Sequence, residues 1–228
     1  MKKIKFIRHS KLEHPYDNYS LLTFSKISGL ATGKITPNIH PESPKMLLDK
    51  YDAKELASFD LILCSQSNRT VQTAMLVRKL ADKNIKVKKT KNLSEIFFDP
   101  AILTNKEDFT KHGLGVIRTT LFHGMKNGVG AESLDQVLDR AQKLKKELME
   151  LPYNNILCVT HSFYMRVLRL CFLEGLTHGD NISEPKLIKT IDHHYLEGFE
   201  IYLYRSPINP FDKLRRALKK TSHFELWQ

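Results

Sequence analysis

The sequence predicts an α/β fold, a three-layer sandwich with a largely parallel central sheet. Two observations carry this. Short apolar runs alternate along the chain with amphipathic stretches of helical period, the pattern of strands connected by crossover helices. Three of those runs also end directly in polar side chains: Ile7 before Arg8-His9, Cys64 before Ser65–Arg69, and Val159 before Thr160-His161-Ser162. In parallel sheets, ligands bind outside the carboxyl ends of the strands, so these residues converge on one site.

Taken in order, residues 2–7 alternate lysine and apolar side chains and read as a strand. Residues 11–41 keep no sustained period and are punctuated by Pro15, Gly29, Gly33, Pro37 and Pro41, which predicts a long, partly ordered loop. Pro44–Phe59 reads as a helix with Ser43 as cap and Pro44 in first position. A short strand over Asp60–Cys64 precedes a helix capped by Ser67 or Asn68 and running to about Lys83, with Val71, Ala74, Met75, Val77 and Leu80 inward. Ile85–Val87 is a further strand, Asn92–Pro100 is irregular, and parts of 105–122 carry a weak helical signal. Gly124, Gly128 and Gly130 mark a second flexible stretch. Leu134, Val137, Leu138, Ala141, Leu144 and Leu148 recur at helical spacing within a helix over Ser133–Glu150. Asn155–Thr160 is a strand, Phe163–Leu173 a helix, and 186–191 and 199–204 further strands. The domain is expected to span 1–205. Residues 206–228 form a basic tail, with 212–220 a short amphipathic helix packed on the domain in preference to an acidic surface.

The 228 residues suit one domain, and 41% hydrophobic content is enough for a sizeable core. No apolar run approaches the roughly 20 residues of a spanning helix. The basic start, Met1–Arg8, is interrupted by charge before a signal-type apolar region forms, so the expected location is the cytoplasm. Three cysteines without motif spacing read as reduced, buried thiols. The net charge of +11 favours anionic partners. It comes without zinc-finger spacing, an RNP-type strand or an arginine-rich arm, which argues against nucleic acid.

Arg8 and Arg69 offer planar, permanently charged forks for phosphate oxygens. His9 and His161 supply a nucleophile and a second donor, and Glu95 a carboxyl for proton transfer. A lone histidine or loop arginine is more often structural; placement at successive strand ends is what raises these above that reading. His193-His194 suggests a metal only superficially, because adjacent residues on a strand point to opposite faces. Glu132-Ser133 reads as a helix-start device. His112, His123 and Glu107 are set aside, and Phe97 and Phe98 are expected to pack the loop.

Five segments in order resemble the histidine phosphatase superfamily, the phosphoglycerate mutase-like proteins. They are Ile7-Arg8-His9-Ser10, Ser65-Gln66-Ser67-Asn68-Arg69-Thr70-Val71-Gln72-Thr73-Ala74, Leu93-Ser94-Glu95-Ile96, Gly130-Ala131-Glu132-Ser133-Leu134 and Val159-Thr160-His161-Ser162. The resemblance implies a phosphoglycerate mutase-like fold and a hydrolase that needs no metal or other cofactor and acts on a small phosphorylated substrate. It implies that His9 attacks phosphorus to form a phosphohistidine. Arg8, Arg69, His161 and Ser162 bind the phosphoryl group, and Glu95 protonates the leaving oxygen and then activates water. Ser10 and Ser162 stand where the family pattern has glycine, and Pro15 where it often has asparagine, with Asn18 a candidate substitute.

A phosphatase is preferred over mutase-type phosphoryl transfer because the arginine–glycine and double-proline stretch of such mutases is missing from 96–130. The intact set of five polar residues argues against a catalytically silent phosphate-binding module. A basic nucleic-acid or membrane-surface binder rests on charge alone. The loops at 11–41 and 96–130 are expected to form the substrate wall, and the sequence sets neither the substrate nor the oligomeric state.

Overall fold

A computed structural model describes residues 1–178, Asp180, Ser183, Leu187 and 194–204. Its elements are β1 (Lys2–Arg8), α1 (Phe24–Ala31), α2 (Ser43–Leu48), α3 (Ala53–Ser58), β2 (Leu61–Cys64), α4 (Asn68–Leu80), β3 (Lys86–Lys89), α5 (Pro100–Leu103), α6 (Lys106–His112), α7 (Leu114–Asn127), α8 (Leu134–Glu150), β4 (Asn155–Thr160), α9 (Ser162–Leu173) and β5 (Gly198–Leu203). The strands form one sheet in the order β3-β2-β4-β1-β5. β1, β2 and β3 run parallel to their neighbours on the β4 side, and only β5 is antiparallel, to β1. The strand expected over 186–191 and the tail over 206–228 lie outside the described residues.

Alternation along the strands divides the core. Ile4, Phe6, Leu61, Leu63, Ile156 and Cys158 pack on α8 and α9, with Phe6 stacked on Phe199 at 4.9 Å between ring centroids. Ile7, Ile62, Cys64, Leu157 and Val159 face α2, α3 and α4. A sheet covered on both faces reads as unbroken apolar runs, which is why β2 and β4 were visible in sequence. Helix α8 buries Val137, Leu138, Ala141, Leu144 and Leu148, and a capping box between Ser133 and Gln136 starts it. Removing a buried leucine such as Leu144 costs about 2–5 kcal/mol in such settings.

Antiparallel β5 closes onto β1 only because residue 198 is glycine: a Cβ there would stand 1.7 Å from the Phe6 carbonyl oxygen. Gly113, at φ 59° and ψ −144°, separates α6 from α7 in a conformation that only glycine adopts readily.

Four expectations need correction. Residues 11–41 are more ordered than a loop: the Thr23 side chain accepts from the Lys26 N–H and starts α1. The 44–59 helix is two helices, because the Asp52 carboxylate accepts from Glu55 N–H and begins α3 anew. Ser43 is the first residue of α2 rather than its cap, and its hydroxyl meets Ser10 instead. Met75 is exposed; Thr70, Thr73, Ala74 and Val77 form the buried stripe of α4.

Candidate active site

The carboxyl ends of β1, β2 and β4 lie side by side in the sheet, and the loops leaving them bring their polar residues together. β1 ends in Arg8 and continues to His9, whose N–H donates to Thr160 O on the neighbouring strand at 3.0 Å. His9 is 2% exposed. Its Nδ1 lies 2.8 Å from the Ser10 carbonyl oxygen. A carbonyl only accepts, so Nδ1 carries the proton and the lone pair belongs to Nε2. Burial, then the charges of Arg69 and Arg8, hold the His9 pKa well below the ordinary histidine value. The lowered pKa favours the neutral ring, and the partner that fixes its tautomer is a backbone carbonyl that no side-chain motif could reveal.

Ser10 does not narrow the site. Its hydroxyl donates to Ser43 Oγ at 2.7 Å and its N–H to Thr73 Oγ1 at 3.0 Å. Thr73 Oγ1 in turn donates to Arg69 O at 2.7 Å, so the turn after the nucleophile is tied to the first turn of α4. Gln72 and Asn68 reach the other way, to Ile39 N–H and the Asn38 side chain, and anchor the 11–41 segment.

Arg69 starts α4, with its Nε 3.3 Å from His161 Nδ1. Guanidinium only donates, so Nδ1 of His161 accepts, and its Nε2–H points to Ser65 Oγ at 2.8 Å. Ser65 is held in turn by Thr70 Oγ1 at 2.7 Å. The His9 and His161 rings are 5.5 Å apart, and burial and the same arginines also push the His161 pKa down. In this arrangement both ring nitrogens of His161 are engaged within the protein, one by Arg69 and one by Ser65, and His161 is not among the residues that line the cavity at Arg69. Arg8 lies over the Tyr195 ring at 4.2 Å.

Glu95 follows a one-turn 3₁₀ helix, Lys91–Leu93, held to β4 by Thr160 Oγ1 donating to Leu93 O at 2.8 Å. Its carboxylate sits at the N-terminus of α9, accepting from Tyr164 N–H at 2.8 Å, Ile96 N–H at 3.1 Å and Phe163 N–H at 3.4 Å. Burial raises its pKa against the opposing pull of these N–H groups and Arg69. Glu132 and Arg140 stabilise this turn from outside. Arg140 donates to both Glu132 oxygens, at 2.9 and 2.7 Å, and its third nitrogen to the Ser94 carbonyl. Glu132 thus holds the turn that carries Glu95, a role that its place before a helix cap did not suggest.

Arg8, His9, Arg69, Glu95 and Ser162 line one cavity. The 11–41 segment contributes Tyr19, Ile27, Leu30 and Ala31 to it, and α7 contributes Leu114, Ile117 and Arg118. Phe98 and Phe163 complete the lining and pack edge-on at 6.1 Å, so Phe98 does more than fill its loop. Asn18 does not reach the cavity: it is exposed and its side chain accepts from Ser20 N–H. His112, His123 and Glu107 are exposed outside it. The thiols are inert, with burial pushing Cys64 up to about 11 and Cys171 up to about 12, and Cys158 upward as well. Among the described residues no cluster of three or more His, Cys, Asp or Glu is placed to hold a metal ion, and no helix is long and apolar enough to cross a membrane.

Residues 48–184 match the family model of the histidine phosphatase superfamily (branch 1), and the chain belongs to that superfamily. The match includes Arg69, Glu95, His161 and Ser162; Arg8 and His9 precede it. The fold is shared with a mycobacterial hydrolase at TM-score 0.61 and 14% identity, covering 91% of this chain and 92% of that one. It is shared as well with mycobacterial glucosyl-3-phosphoglycerate phosphatase in complex with VO3, at TM-score 0.60 and 14% identity over 93% and 94% of the two chains. Phosphoserine phosphatase from Entamoeba histolytica, in complex with 3-phosphoglyceric acid, aligns at TM-score 0.55 and 16% identity over 86% and 88%. No curated protein matches the chain in sequence.

Proposed function

We propose that the protein hydrolyses phosphomonoesters through a phosphohistidine at His9 Nε2. The observation that carries this is the His9 tautomer: Nδ1–H is committed to the Ser10 carbonyl, which leaves a neutral ring with its lone pair at Nε2. The Arg8 and Arg69 guanidinium groups receive the phosphoryl oxygens and supply fixed positive charge where the transition state carries negative charge. Nε2 attacks phosphorus as the ester P–O bond breaks, and the leaving oxygen takes the Glu95 proton. The Glu95 carboxylate then removes a proton from water. The resulting hydroxyl attacks phosphorus, the P–N bond breaks, and its electrons return to Nε2. The raised pKa of Glu95 suits its first role, since it keeps the carboxyl protonated at higher pH than usual.

His161 assists at one remove. It holds Arg69, and an incoming dianion that draws Arg69 forward would free Nδ1 and raise that ring's proton affinity, turning it into a donor. Ser162, first in α9, adds its hydroxyl and N–H at a helix N-terminus. These steps need no group beyond the chain's own residues and water, and we place the enzyme in the cytoplasm.

The test is rapid quench with 32P-labelled phosphomonoester. A protein-bound label that survives alkali, is lost in acid and is absent from His9→Ala would establish the intermediate. A wild-type enzyme that turns over without accumulating label in any quench, at a rate His9→Ala matches, would remove His9 from the mechanism.

A further inference from the structure

Resting on the reading above, we propose that the substrates are phosphomonoesters of apolar alcohols, alkyl or aryl, rather than of polyhydroxylated or zwitterionic ones. Beyond the arginines and His9, the cavity is lined by Ile27 and Leu30 of α1, Leu114 and Ile117 of α7, and the rings of Phe98 and Phe163. Ile27, Phe98 and Ile117 are 5%, 7% and 3% exposed, so they are fixed in the core and present a rigid apolar surface. A sugar hydroxyl or an ammonium group brought against it would give up water without finding a partner. The polar groups of the same lining do not change this. The Tyr19 side chain is hydrogen-bonded to Tyr195, so its hydroxyl already has a partner. Arg118 is itself engaged by the protein. Ser162 opens α9 directly after His161, at the phosphate end. The leaving group is therefore held mainly by contact with carbon, with Glu95 placed to handle its oxygen and Arg118 the one further charge in the lining.

Ethyl, propyl, butyl and hexyl phosphate share one leaving-group chemistry, so their kcat/KM values isolate the binding of the chain. The expected result is a gain of about 3- to 4-fold per methylene until the wall is filled. Propyl phosphate should exceed glycerol 3-phosphate, its hydroxylated analogue, by about 10- to 100-fold. Leu30→Ser should flatten the chain-length series. Hydrolysis of p-nitrophenyl phosphate that depends on His9, measured in parallel, keeps the two readings apart. If it is intact while the alkyl series is flat or falling, or glycerol 3-phosphate is preferred, the substrate class is wrong and the phosphatase reading stands. If no phosphomonoester is hydrolysed, both readings fall together.

Discussion

The strand ends and the helical wall meet at one cavity, yet they are built by different physics. At the strand ends, His9, Arg69 and Glu95 are each fixed by hydrogen bonds to backbone or to a neighbour, and Arg8 lies over the Tyr195 ring. His9 is held by Ser10 O, Arg69 by His161, and Glu95 by the N–H groups opening α9. At the wall, α1 and α7 hold their apolar residues by burial. The first arrangement fixes the position of individual atoms and serves chemistry; the second fixes shape and serves selection. Substitutions at the two should therefore act on different kinetic constants.

The sharpest break comes from the strand ends. His9→Ala should lower kcat by about 10⁴-fold or more, because the acceptor of the phosphoryl group is gone. Arg69→Ala should cost about 10²- to 10³-fold in kcat/KM, and Arg69→Lys should recover little of it, since an ammonium cannot both fork to phosphate and meet His161 Nδ1. Glu95→Gln separates substrates by leaving group. Alkyl phosphates should lose about 10²- to 10⁴-fold, while p-nitrophenyl phosphate, whose phenolate leaves unaided, should lose far less.

The same variant gives the pH test. Turnover of alkyl phosphates requires Glu95 protonated and His9 neutral. The Glu95 pKa is raised, so kcat/KM should decline only as pH climbs past the ordinary carboxylate range. The His9 pKa is lowered, so the acid limb should begin below the ordinary histidine range. The profile has an acid limb from His9 and an alkaline limb from Glu95, and Glu95→Gln should remove the alkaline limb. An alkaline limb that persists in Glu95→Gln would transfer the proton to another group.

The smaller effects sharpen the comparison. Arg140→Met frees the Ser94 carbonyl and Glu132, and should lower alkyl-phosphate kcat by about 10-fold through a misplaced Glu95. Arg140 never touches substrate, so the diagnostic is a shifted alkaline limb with p-nitrophenyl phosphate turnover nearly unchanged. Leu114→Ala on the wall should raise KM for the longer alkyl phosphates by several-fold while leaving kcat within about 3-fold, the signature of binding shared by ground and transition states.

These two regions were not equally legible in the sequence. Arg8, His9 and Arg69 could be singled out because a polar residue that follows an apolar strand has few structural reasons to be there, and Glu95 only through its place in a family-like segment. The wall could be located, at 11–41 and 96–130, but not shaped. Ile27 and Ile117 belong to amphipathic turns that look the same whether they face a core or a cavity. The break at Asp52 was hidden because apolar spacing continues across it, and a side-chain cap worth about 1 kcal/mol decided the matter. His161 was found but its posture was not, since a ring that turns toward Arg69 and Ser65 leaves no trace in spacing. Tyr195 and Arg140 were missed altogether: each acts through a contact with a residue more than 45 positions away.

Strand β3 is an outer edge of the sheet, and three of its four residues, Lys86, Lys88 and Lys89, are exposed lysines. A foreign strand adding there would have to settle about 4.8 Å away, with its own side chains among those ammonium groups. Backbone pairing that would otherwise propagate from molecule to molecule is thereby discouraged at its first step. The lysines thus guard the free edge of a sheet whose interior strands, β2 beside them included, are already paired on both sides. Exchanging them for threonine would leave the active site as it is and turn a dilute enzyme into a concentration-limited one.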